Sequence, residues 1–178
     1  KVIPCYYKKD YPEWSDRGDG PGAPVASHLP NSPVIQTGKR DGSKIRLPNG
    51  NYLEETASYY VLVETKAGGM TPALITMKST QLNVSKKWNS MMKTIQIPDG
   101  KGGFAIPPMH GVVYNLQSVL QKNDKGSWYG WSVAQDRIMG QADTSLYLSA
   151  KDFRGNVSKG NVQTKADVEE KAKDSTPY

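Results

Sequence analysis

The sequence predicts a β-rich α+β fold, an antiparallel barrel or sandwich of OB-like type with one packed amphipathic helix and a second short helix. Three observations carry that prediction. Several segments alternate apolar and polar residues with a period of two. After Ser79 the apolar period lengthens to three and four. Gly 17 and Pro 12 punctuate the runs with turns.

Residues 1–14 are tyrosine-rich and β-prone, with Tyr6, Tyr7, Tyr11 and Trp14 interleaved with Lys8, Lys9 and Asp10. Rings among cations suit a single-stranded nucleic-acid surface, because bases stack on rings while ammonium groups meet phosphates. An edge strand with one amphipathic face has the same pattern. Residues 16–33 read as an irregular surface loop, since glycine and proline recur there without apolar periodicity. That loop contains Arg17-Gly18-Asp19, an integrin-type tripeptide with no secretory signature beside it. Residues 39–46 form a basic loop, closed by a turn at Asn49-Gly50.

Residues 58–65 and 73–77 predict an antiparallel hairpin, with Tyr59, Val61 and Val63 on one face and Tyr60, Leu62 and Glu64 on the other. The next stretch organises the chain. Val84, Trp88, Met91 and Ile95 fall along one face of a helix with Ser79 as its N-cap, and Lys86, Asn89, Ser90 and Lys93 lie off that row. Pro98 and the glycines after it end the helix. A second hairpin pairs residues 111–119 with 127–133, placing Tyr129, Trp131 and Val133 on one face and Trp128 on the other. A second helix is predicted over residues 143–154, with Leu146, Ala150 and Phe153 on one side and Gly155 ending it. The domain organisation is then one β-rich domain over residues 1–155 and a polar, flexible tail over 156–178. The first residue is lysine and the strand pattern is already under way, so the domain is expected to lack its N-terminal part.

Composition narrows the function classes. The formal net charge is +6, and the excess sits in two patches. Lys39, Arg40, Lys44 and Arg46 stand against Asp41, while Lys78, Lys86, Lys87, Lys93 and Lys101 stand against Asp99. Such patches point to an anionic partner. A lone Cys5 forms no internal disulfide and no zinc site, which fits a reducing compartment. No apolar run approaches the ~20 residues that cross a bilayer, so no membrane partner is expected. The phosphate-loop, dinucleotide, zinc-protease, nucleophile-elbow and dithiol motifs are all missing. Neither His28 nor His110 has a ligand at helical metal spacing, so no enzyme activity, catalytic residue, metal or cofactor is expected.

Five segments together resemble a family of largely uncharacterised tailed-phage proteins, some members of which are labelled single-stranded-DNA-binding. These are Lys1-Val2-Ile3-Pro4-Cys5-Tyr6-Tyr7, Glu13-Trp14-Ser15-Asp16-Arg17-Gly18, Leu47-Pro48-Asn49-Gly50-Asn51-Tyr52, Met77-Lys78-Ser79-Thr80-Gln81-Leu82 with Lys87-Trp88-Asn89-Ser90-Met91, and Asp124-Lys125-Gly126-Ser127-Trp128. The likeness covers residues 1–133 and transfers no specific contact.

The resemblance and the charge pattern together imply a non-sequence-specific single-stranded-DNA-binding protein of a bacteriophage, acting in replication or recombination in the host cytoplasm and open to homo-oligomerisation. Its expected nucleic-acid contacts are Lys78, Lys86, Lys87, Lys93, Lys39, Arg40, Lys44 and Arg46 for phosphates, and Tyr6, Trp14, Trp88, Trp128 and Tyr129 for bases. Trp88 carries two readings, since its helical phase also places it in the core. The alternative function is a virion or assembly component.

Overall fold

The computed structural model describes residues 1–16, 23–124 and 126–162. One antiparallel sheet of nine strands curls into a half-barrel, and β1 (Val2–Trp14) runs through both of its parts. The first half of β1 pairs with β6 (Thr56–Glu64), which pairs in turn with β7 (Met70–Lys78). At Val2 it also meets β10 (Val112–Asn123), the partner of β11 (Gly126–Ile138). The second half of β1 pairs with β2 (Ala26–His28) and β5 (Tyr52–Glu54), and β5 leads through β4 (Lys44–Arg46) to β3 (Lys39–Asp41). Helix α1 (Pro33–Thr37) precedes β3. A separate two-stranded arm, β8 (Ile97–Pro98) with β9 (Phe104–Ala105), follows helix α2 (Leu82–Thr94). Helix α3 (Thr144–Ser158) closes the described chain.

Period-two alternation gives the sheet two different faces. On one face Val2, Tyr59, Val61, Ile75, Met77, Val112 and Tyr114 bury against Trp88, Met92 and Ile95 of α2. Trp88 is fully buried, stacked on Tyr59 at 4.3 Å and edge-on to Tyr114 at 5.6 Å. The Tyr59 hydroxyl donates to the Ser85 carbonyl at 3.0 Å, and burial pushes its pKa up. Burial also pushes the Tyr114 hydroxyl up to about 12. On the other face Ile3, Cys5, Leu62 and Val113 meet Ala150 of α3. Ile3 and Cys5 share that side by simple alternation, and a register shift between Pro4 and Tyr6 marks a bulge at Cys5 that changes the phase, so that Tyr6 follows on the same side and Tyr7 turns towards α2. The Cys5 thiol, pushed up to about 12 by burial, stays protonated and inert. A third cluster, Tyr11, Ile45, Leu47 and Leu53 with Val34 and Ile35, makes the core of the small lobe around β3 to β5.

Both predicted hairpins form, and both are longer than their sequence patterns indicated. The central helix also forms, with one correction at its start. Ser79 is not the N-cap: its φ is +51°, and it opens a short 3-10 turn, Ser79–Gln81, before the helix begins at Leu82. Gln81 instead fastens the helix to the sheet edge, where its Oε1 accepts from the Trp131 backbone N–H at 2.8 Å. Gly130 leaves room for this contact, since a Cβ there would push aside the side-chain amides of Gln81 and Gln121. The basic loop at residues 39–46 is a β3–β4 hairpin, turning through Gly42 at φ +59°. The expected irregular loop contains β2, and Arg17-Gly18-Asp19 lies outside the described residues. Helix α3 continues through Gly155 and Asn156 to Ser158, past the predicted end of the domain, and residues 163–178 lie outside the described residues.

Candidate functional site

Alternation along β1 sends Tyr6, Lys8, Asp10, Pro12 and Trp14 to the face opposite α2. Thr56, Ser58 and Tyr60 of β6 and Leu74, Thr76 and Lys78 of β7 stand beside them. Helix α3 covers this face only near Leu62, so the other end stays open as a groove of about 390 Å³, walled by residues 23–27.

The groove combines rings, hydroxyls and paired charges. Tyr6 and Tyr60 meet edge to face at 6.0 Å. Lys78 Nζ lies 5.5 Å from the centre of the Trp14 ring and 2.9 Å from Glu54 Oε2. Lys8 Nζ lies 2.7 Å from Asp10 Oδ2, which also accepts from the Ser27 hydroxyl at 3.1 Å.

The same side continues onto the small lobe. Residues directly opposite in an antiparallel pair share a face, and Trp14 stands opposite Tyr52, Tyr52 opposite Arg46, and Arg46 opposite Lys39. Lys44 Nζ sits 3.7 Å over the Tyr52 ring, a close cation–π contact. Arg46 is held by Asp41 and Asp16, whose hydrogen bonds raise its pKa further. The floor is braced from below by Glu13, which accepts from Asn51 Nδ2 at 2.6 Å and Asn49 Nδ2 at 3.1 Å and lies 2.7 Å from His28 Nε2. Hydrogen bonds from Asn51, His28 and Asn49 hold its carboxyl below the usual carboxylate range. The arrangement can stack planar groups on Trp14, Tyr52 and Tyr60 and present cations along the same track.

The structure therefore brings together Tyr6, Trp14, Lys78, Lys39, Lys44 and Arg46 from the predicted set. It does not bring in the rest. Trp88 is core, because the apolar row of α2 buries it fully. Lys86, Lys87 and Lys93 are exposed on α2, on the opposite side of the sheet. Arg40 stands opposite Ile45, whose side chain belongs to the lobe core, so it leaves the track. Trp128 and Tyr129 lie at the end of the β10–β11 hairpin. Tyr129 is 73% exposed opposite Leu120, and half-buried Trp128 lines a separate recess with Thr80 and Ser127. Tyr7, one of the rings interleaved with cations in residues 1–14, packs on Tyr59 at 5.0 Å, on the α2 side.

Sequence reasoning missed Tyr52, Tyr60 and the hydroxyls of Thr56, Ser58 and Thr76 as site residues. The usable signal was the opposite phase of Tyr60 to the core residue Tyr59. Among the described residues no helix is long and apolar enough to cross a membrane, and no cluster of His, Cys, Asp or Glu could hold a metal ion.

The chain belongs to the Pam3 phage gp34-like protein family, whose model matches residues 1–163. That description names a phage protein and no activity, so it supports the phage origin and extends the likeness beyond residue 133 into α3. No curated protein and no solved structure matches the chain.

Proposed function

We propose that this phage protein binds single-stranded DNA without sequence preference, in replication or recombination, and that the strand lies in the groove of β1, β6 and β7 and over Tyr52. The observation that carries the reading is the cross-strand track of rings and cations on one open side of the sheet: Tyr60, Lys8, Trp14, Lys78, Tyr52 and Lys44. Rings accept any base, and each stacked base contributes about 1 to 3 kcal/mol.

Charge has a smaller share than the net charge of +6 implies. Lys8, Lys78 and Arg46 already face carboxylates, so a phosphate must compete with Asp10, Glu54, Asp16 and Asp41. Lys39 and Lys44 have no ion pair among the described residues. Two net phosphates neutralised on a single strand give a log–log salt slope of about −1.4. The test is oligo-dT titration across a salt series, set beside duplex DNA. Single-strand binding with a shallow slope and tryptophan quenching supports the groove. Equal affinity for duplex, or no binding at low salt, overturns it.

A virion or assembly role is the second reading, favoured by exposed apolar side chains away from the groove. Phe104 (71%) lies in the β8–β9 arm and Ile106 (58%) just after it, and Leu120 (63%) faces Tyr129 on the hairpin. Co-sedimentation with purified phage particles tests it.

A further inference from the structure

We propose that the outward face of α2 docks an acidic polypeptide segment, a site separate from the groove and independent of what fills it. The sequence contains no Asp or Glu between Glu64 and Asp99, a stretch that spans β7 and all of α2. On α2 the exposed positions are Asn83, Lys86, Lys87, Ser90, Lys93 and Thr94. None of the three lysines meets a carboxylate among the described residues, whereas Lys1 just ahead of β1, Lys8 and Lys9 on β1 and Lys78 on β7 are each paired. This helix face is therefore a basic surface without a carboxylate partner among the described residues, set apart from the unpaired Lys39 and Lys44 of the small lobe by its place on the α2 side of the sheet.

The chemistry of the face selects its partner. It carries ammonium, hydroxyl and amide groups and no ring or large apolar side chain, because Val84, Trp88, Met91 and Met92 all turn inward. A single strand would find charge there but nothing to stack on. Lys86 and Lys93 stand seven residues apart, about 10.5 Å along the axis, which matches acidic residues two turns apart on a second helix. The sheet separates this face from the groove, so both can be occupied at once.

The experiment uses the full chain, a labelled helical peptide with glutamates at that spacing, its glutamine counterpart, and a short DNA duplex. The site predicts saturable binding of the glutamate peptide, NMR shifts confined to α2, and a loss of about tenfold or more in Lys86→Glu/Lys87→Glu/Lys93→Glu. Oligo-dT binding should stay within about threefold in that variant, while Trp14→Ala should do the reverse. Equal peptide binding by the triple variant overturns the proposal. So does duplex DNA displacing the peptide from α2 and binding there more tightly, which would make the face a second nucleic-acid surface. Loss of oligo-dT binding in wild type alone strikes the groove reading and leaves this one standing.

Discussion

The two sides of the sheet carry similar residue types and cover them differently. Both carry lysines close to tryptophan: Lys86 and Lys87 precede Trp88 in the chain, and Lys78 lies over Trp14. On the α2 side the helix lies on the strands, and its apolar row spends the indole on the core, between Tyr59 and Tyr114. On the groove side no helix covers the strands beyond Leu62, so Trp14, Tyr60 and Tyr52 stay half-buried rather than enclosed. A ring beside a cation is thus accessible to a ligand only where the packing of the element leaves its face uncovered. Charge clustering along the chain does not reveal that.

The largest effect that separates the two sides is on stability. Trp88→Ala should cost about 3 to 5 kcal/mol, read from urea unfolding, because it empties a fully buried site between two rings. Trp14→Ala should leave the urea midpoint nearly unmoved and weaken oligo-dT binding by about 1 to 3 kcal/mol, with Tyr60→Ala in the same range. If Trp88→Ala proved harmless to folding, or Trp14→Ala harmless to binding, the assignment of core to one side and contact surface to the other would be reversed.

Most of the architecture was legible in the sequence, because it follows from short-range periodicity. The hairpins of β6 with β7 and β10 with β11 came from period-two runs, and α2 from the spacing of Val84, Trp88 and Met91. Leu146, Ala150 and Phe153 do pack one side of α3 onto the sheet. The track across β1, β5 and β4 was not legible. It depends on Trp14 standing opposite Tyr52, 38 positions later in the chain, and on β1 serving two sets of partners. Pairing register of that kind is set by tertiary contacts, and no single stretch encodes it. The N-cap at Ser79 failed for a local reason. A residue at φ +51° cannot cap a helix that starts three residues later, and Gln81 instead reaches out to the strand edge.

Acid should affect the closed end of the groove before its braced floor. His110 is 3% exposed, with neither ring nitrogen hydrogen-bonded, and rests on Tyr147 of α3 at 5.1 Å. Burial, with Arg154 and Lys151 nearby, pushes its pKa below the usual 6.5. The folded state therefore resists the proton that the unfolded chain accepts, and stability falls as pH drops below 6.5 towards the lowered value. Glu13 has a depressed pKa, so its contribution is present above its ordinary 4.5 and is lost only as pH falls through the lower folded value. Two acid steps are expected, the first loosening α3. His110→Phe should remove the first step and leave the second, as read by amide exchange in α3 between about pH 7 and about pH 5. An unchanged pH profile in that variant would place the first step elsewhere.

The smallest expected effect tests whether the groove's carboxylates restrain it. Glu54 holds Lys78 at 2.9 Å, and a phosphate entering beside Trp14 must take that ammonium away from it. The Lys78 side chain is half exposed, so the pair is screened by water and stabilises the fold by no more than about 0.5 kcal/mol. Glu54→Gln keeps the shape of the side chain and removes its charge. It should leave the unfolding midpoint within error and tighten oligo-dT binding about two- to threefold at low salt. It should also steepen the salt slope by about 0.7, because one more cation becomes free to release a counterion. Unchanged binding with an unchanged slope would mean that the strand does not pass Lys78, and would move the track away from the β7 side of the groove towards β1 and the small lobe.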